Sequence, residues 1–177
     1  MTVSGTVETG GGQSGLVADY VGCGGGLVMI GGYLSFTGID GKARYGMSPL
    51  TDVLPVTVLP HDDRNETLDG LEVDVVEPGH PILGGTLALW PPLLSYNRLL
   101  PKPGCVVAAR TANDLMLVTG EYGERRAVAF ASDLAPHWAP PEFVEWVHYP
   151  ALWTSIPAWA AQATPDAHAT GRRGSWS

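Results

Sequence analysis

Apolar positions along the chain fall into short groups separated by glycine and proline, and the groups differ in period. Leu16, Val17, Tyr20 and Val21 recur at i, i+1, i+4 and i+5, the spacing of the last turns of an amphipathic helix, which Gly22 and the glycines at 24–26 end. Leu27-Val28-Met29-Ile30 is then a continuous apolar run with glycine on both sides. A strand covered on both faces of a parallel sheet reads this way. Helix, glycine turn, buried strand and glycine loop form the grammar of an α/β layer, in which loops at the carboxyl ends of parallel strands build the site. Residues 31–38, the loop after this strand, are therefore the first place to look for function.

Further on, Ser48-Pro49-Leu50-Thr51-Asp52-Val53-Leu54 reads as a short helix with Ser48 as N-cap and Pro49 at its first position, stopped by Pro55. Val56-Thr57-Val58-Leu59 and residues 71–76 alternate as half-buried strands, with residues 61–66 as a charged loop between them. Residues 105–110 and 115–118 give two more apolar stretches, and residues 127–131 another. The gap around Gly123 has hairpin chemistry, so the strands flanking it should pair antiparallel. Residues 143–159, rich in Trp and Ala, read as a closing helix packed on the sheet and interrupted near Pro150 and Pro157. Residues 1–13 lack a hydrophobic period and read as a disordered lead, residues 161–177 as a disordered tail, and residues 14–160 as one domain.

Composition narrows the picture. With 45% hydrophobic and 16% charged residues in 177, the chain has material for a sizeable core. Its 23 glycines and 15 prolines follow no period, which indicates a loop-rich fold. A net charge of −8 argues against nucleic acid, whose binding rests on clustered Lys and Arg; the only adjacent basic residues are the pairs Arg125-Arg126 and Arg172-Arg173. No apolar run approaches the length of a membrane span and no secretory signal opens the chain, so a cytoplasmic protein is expected. Cys23 and Cys105 are then free thiols, both expected to be buried.

Candidate chemistry gathers in the loops. Ser35 and Thr37 carry the only aliphatic hydroxyls in residues 31–38; a serine nucleophile needs a base within hydrogen-bonding reach, whereas the same residues also serve as caps and turns. Asp133 and His137 follow the strand at 127–131, and Glu142 comes five residues after His137. His137 either acts in a site or packs between Pro136 and Trp138 with one nitrogen bonded to backbone. His61-Asp62-Asp63 has metal-ligand chemistry, but three adjacent residues of a strand cannot all turn to one ion, so no metal is expected. The glycine runs do not form a phosphate-binding fingerprint, and no cofactor is expected. Arg98 offers a guanidinium fork for a carboxylate ligand. Gly32, Tyr33, Thr37, Arg98 and Asp133 are the expected ligand contacts.

Residues 24–44, GGGLVMIGGYLSFTGIDGKAR, and residues 127–146, AVAFASDLAPHWAPPEFVEW, resemble a family of bacterial class I glutamine amidotransferase-like proteins. Leu54-Pro55-Val56, His80-Pro81-Ile82-Leu83, Trp90-Pro91-Pro92-Leu93-Leu94 and Tyr96-Asn97-Arg98 carry the same resemblance, which extends from about Ser14 to about Trp159. It implies a flavodoxin-like parallel sheet with flanking helices, here N-terminally truncated by the family's first βαβ units, and an antiparallel hairpin toward the C-terminal half. A sheet edge left open by that truncation would be covered by a second copy or a partner chain. The resemblance also implies a Cys nucleophile on the turn that falls at residues 31–38, where this sequence has none. His137 and Glu142 sit where the family's catalytic His and Glu follow a late strand, yet the family spaces them two residues apart, and here Trp138-Ala139-Pro140-Pro141 intervenes. A glutamine amidotransferase-like protein without its glutaminase nucleophile is the leading expectation. A non-catalytic ligand-binding or assembly module comes second and a hydrolase using Ser35 third.

Overall fold

A computed structural model describes residues 12–162 except 85–88, 113 and 123–124, with only the backbone of Leu68 and Tyr122. The fold is α/β. Helix α1 (Gly12–Gly22) leads through the glycine turn into strand β1 (Leu27–Ile30), as the apolar spacing requires. The helix begins two residues inside the lead read as irregular; the rest of that lead, and residues 163–177 of the tail, lie outside the described residues. A short helix α2 (Leu50–Val53) follows, where the Ser48 hydroxyl accepts the Leu50 N–H.

Strands β2 (Val56–Val58), β3 (Arg64–Leu71) and β4 (Asp74–Val75) come next, then β5 (Leu93–Asn97) and β6 (Leu99–Pro101). Strands β7 (Val106–Arg110), β8 (Leu115–Tyr122) and β9 (Arg125–Phe130) complete the sheet. Helices α3 (Pro141–Val144) and α4 (Tyr149–Ala160) close the chain.

The main sheet runs β1-β9-β8-β7-β4. Only β1 and β9 are parallel, with Leu27 opposite Ala127 and Ile30 opposite Phe130; the other pairs are antiparallel. The expected parallel sheet is thus a mixed one. The reason lies in the connections: β7, β8 and β9 are joined by turns too short for a crossover, and short turns link only antiparallel neighbours. The hairpin expected around Gly123 is β8–β9, with Tyr122 opposite Arg125.

Two antiparallel ribbons, β3–β5 and β2–β6, flank this sheet. Here the sequence reading needs correction. Residues 64–66 are strand, not loop, and Arg98 is the single residue between β5 and β6. The closing helix also differs: Pro150 stands in the first turn of α4, where a missing N–H costs nothing, and Pro157 lies inside it without breaking it. The core gathers where α3 and α4 meet β9. Phe130, Phe143, Leu152 and Ile156 are fully buried there, and Trp90 packs against Phe130 and Phe143.

Candidate functional site

The carboxyl ends of the parallel pair set the floor. The Gly31 N–H donates to the Phe130 carbonyl (2.8 Å), which holds the exits of β1 and β9 side by side. The approach is so close that a Cβ on Gly31 would stand 2.1 Å from the Ala131 oxygen and 2.7 Å from Asn97 Oδ1. Gly31→Ala is therefore expected to destabilise by about 2–3 kcal/mol, read as a lower urea midpoint at unchanged slope.

The loop above this floor is held from inside by two polar side chains. Asp63, fully buried, accepts the N–H of Thr37 on Oδ2 and the N–H of Gly38 on Oδ1, each at 2.9 Å. The Asn97 amide donates to Asp63 Oδ1 (2.8 Å), while its Oδ1 accepts the Gly32 N–H (2.9 Å). Backbone bonds from Asn97 N–H to Ala131 and from Arg98 N–H to Asp63 tie β5 to both partners. Both ends of the loop are thereby referred to one buried carboxylate–amide pair.

Tyr33 projects from that loop and becomes the centre of a surface cluster. Its ring meets the His137 ring edge-on at 5.6 Å and the Trp138 ring at 5.4 Å, and the Arg64 guanidinium lies 5.3 Å from its centroid. Gly32 faces Asp133, whose Cβ would be 3.9 Å from a Cβ at that glycine. Burial pushes the Asp133 carboxyl up, against the backbone N–H groups of Ala135, Trp138 and Ala139 and the nearby His137, which act to lower it. Arg64 is steadied by Asp62 (2.9 Å) and Glu66 (3.2 Å). Asp62 in turn is held well below the usual carboxylate range by the Arg64 guanidinium. On the other side of Asp62 opens a cavity of about 370 Å³ whose wall includes Asp40, Arg44, Met47, Val58 and His61.

The structure thus brings Gly32, Tyr33, Asp133 and His137 together. Ser35 and Thr37 turn inward: the Ser35 hydroxyl donates to the Ile30 carbonyl and the Thr37 hydroxyl to the Leu59 carbonyl, with Thr37 itself buried. Glu142 stands exposed in the first turn of α3, and among the described residues no hydrogen bond or ion pair joins it to His137. Arg98 lies on the opposite face of β5 from Asn97, its guanidinium 3.5 Å from Asp114, which also accepts the Tyr96 hydroxyl. His61, Asp62 and Asp63 diverge, Asp63 into the loop and Asp62 toward Arg64.

Cys23 follows α1 and is exposed, not buried as expected; Cys105 is half-buried, and that burial pushes its thiol up. The ladder puts Val106 opposite Thr119, Thr119 opposite Val128 and Val128 opposite Val28, so Cys105, like Cys23, lies at the far end of the sheet from residues 31–38.

Arg64, Asp63 and Asn97 are the residues that sequence reasoning missed as parts of the site. The signal for Asp63 was available in part: an acidic residue ahead of a strand, flanked by Asp62 and Arg64, reads as solvated surface until its partners far along the chain are known.

Known proteins bear on this geometry in three ways. Two solved structures share the architecture, each with a TM-score of 0.80: a cytoplasmic protein from Salmonella typhimurium LT2 at 44% identity and a second cytoplasmic protein from Salmonella typhimurium at 40%. Each match covers 84% of this chain and 60% of the other, so the chain spans three fifths of the length of these relatives. A β-galactosidase from Rahnella sp. R3, at 18% identity and a TM-score of 0.51 over 82% of this chain and 21% of that one, shares the fold alone. No curated protein matches the chain. The family model described as "Putative glutamine amidotransferase" matches residues 7–162, and the chain belongs to this glutamine amidotransferase-like (GATase1-like) family.

Proposed function

We propose that this domain binds a small ligand at the Tyr33, Arg64, Asp133 and His137 cluster and does not release ammonia from glutamine. One observation carries the reading: on residues 31–38, where a nucleophile would sit, there is no thiol, and both aliphatic hydroxyls, of Ser35 and Thr37, donate to backbone carbonyls. A nucleophile needs a base to take its proton. Ser35 instead spends that proton on Ile30, while His137 stands against Tyr33.

The cluster offers an aromatic face, a guanidinium, an imidazole and a carboxyl of raised proton affinity, which suits a planar or carboxylate-bearing ligand. His137 contacts the ligand in this reading, Gly32 gives it room against the backbone, and Glu142 stays outside. Thr37 and Ser35 shape the loop from within. Arg98 belongs to the neighbouring Asp114 group. The fold we propose is a flavodoxin-like layer, in a bacterial, cytoplasmic setting.

A glutaminase assay with and without a thiol alkylator tests the absence of hydrolysis: no ammonia above background is expected, and robust alkylation-sensitive release would sink the proposal. Ser35 is checked in the same experiment with a serine-directed fluorophosphonate, where labelling lost in Ser35→Ala would establish the hydrolase instead. His137→Ala should leave the urea midpoint unchanged, because the side chain is exposed, and remove ligand binding.

A further inference from the structure

We propose that the cavity beside Asp62 is a second ligand site, separate from the Tyr33 cluster, and that it takes a small monocarboxylate with an apolar body on the guanidinium of Arg44. The cavity lies between residues 37–47 and the end of β2, and three contacts fix the spacing of these walls. The Thr37 hydroxyl donates to the Leu59 carbonyl and the Asp40 N–H to Asp62 Oδ2 (3.0 Å), while Gly46 packs so closely on β2 that a Cβ there would stand 3.1 Å from the Val58 Cβ. The volume of about 370 Å³ is that of a preformed small-molecule site.

Arg44 holds left-handed backbone (φ 53°, ψ 33°), a region that glycine enters freely and that is costly for a residue with a Cβ. Strain of this kind persists where a side chain has a use, and it gathers at ligand clamps. The Arg44 Nε donates to the Gly41 carbonyl (2.7 Å), which orients the fork. Among the described residues no hydrogen bond or ion pair takes its two terminal nitrogens.

The charges around the cavity set the sign of the ligand. Asp62 is compensated by Arg64 and Asp40 by Lys42, each at 2.9 Å, so Arg44 is the wall's uncompensated charge. Two parallel N–H groups of a guanidinium match the two oxygens of a carboxylate. His61, exposed on the same wall, adds a ring N–H, and Met47, Val58 and Pro60 give apolar surface for the rest of the ligand. A phosphate dianion fits less well, because it brings a second negative charge toward Asp40 and Asp62 with one free cation to meet it.

Hexanoate is the probe, followed by NMR on the ¹⁵N-labelled whole chain through the Arg44 Nε–H and the amides of Gly41 and Gly46. Saturable shifts with a millimolar Kd are expected at these groups, and hexanol, which keeps the body and lacks the charge, should give none. Arg44→Gln should weaken hexanoate binding by about 10-fold or more, the worth of a charge-assisted pair. Arg44→Lys should recover only part of that, since an ammonium lacks the fork. Arg44→Gly should lose binding with its urea midpoint at or above that of the wild type, because glycine relieves the left-handed backbone. A clearly lower midpoint would assign Arg44 to the fold and overturn the proposal. So would shifts absent at Arg44 or confined to Tyr33 and Asp133, inorganic phosphate binding as tightly as hexanoate, or an unchanged affinity in Arg44→Gln.

Discussion

Asp63→Ala should remove about 4 kcal/mol of stability and free the loop after β1. The carboxylate is fully buried and satisfies three donors: the N–H groups of Thr37 and Gly38 and the Asn97 amide. Each donor left unpaired in the interior costs about 1–3 kcal/mol, and hydrogen bonds to a charged group lie at the upper end of their range. Asp63→Asn is not a rescue, because its NH₂ would face a backbone N–H at one of two positions that both require an acceptor.

Asn97→Ala should cost less, about 2–3 kcal/mol, by stranding the Gly32 N–H and one Asp63 bond. The double variant should then fall short of the sum, because the two residues share a bond. Urea unfolding measures the stabilities. Amide exchange at Thr37 and Gly38 reports on the loop, and protection there unchanged in Asp63→Ala would refute the anchoring role.

This anchor shows where the sequence was legible and where it was not. Leu27-Val28-Met29-Ile30 could be read as a strand because its neighbours in sequence, the flanking glycines, define it. The β8–β9 hairpin was legible for the same reason: its determinant is a local turn. The ribbon β3–β5 was hidden. Arg64 and Glu66 are two residues apart on a solvent-facing side of β3, so they read as a charged loop, and β5 is masked by Pro91 and Pro92 just ahead of it.

The site divides along the same line. Tyr33, Asp133 and His137 were visible because each follows a readable strand. Asp63 binds groups 25 and 26 residues away in sequence, and Asn97 reaches Gly32 across 65. Such partners have no local signature. The mixed sheet followed from connection length, which the apolar runs bound only loosely. β7 to β9 read as separate apolar stretches, and their antiparallel order depends on turns rather than on the runs themselves.

Phe130→Ala should be the other severe variant, costing about 3–5 kcal/mol. Phe130 ends β9, and its backbone pairs with Ile30 on one side and Leu117 on the other. Its side chain is fully buried, stacks on Phe143 at 6.4 Å and meets Trp153 edge-on at 5.0 Å, with Trp90 at 6.2 Å. Aromatic pairs of this geometry add about 0.5–1.5 kcal/mol beyond the area they bury. For a chain of this size 1 kcal/mol moves Tm by about 2–4 °C, so a fall of about 10–15 °C is expected in a thermal melt. Phe130→Leu should restore much of it, since it refills most of the volume and loses mainly the ring contacts. The same side chain fastens α3 and α4 to the strand whose exit forms the floor of the site, so Asp133 and His137, three and seven residues further on, depend on it for their position. A Phe130→Ala melt within 2 °C of the wild type would mean that these rings do not pack as a single cluster.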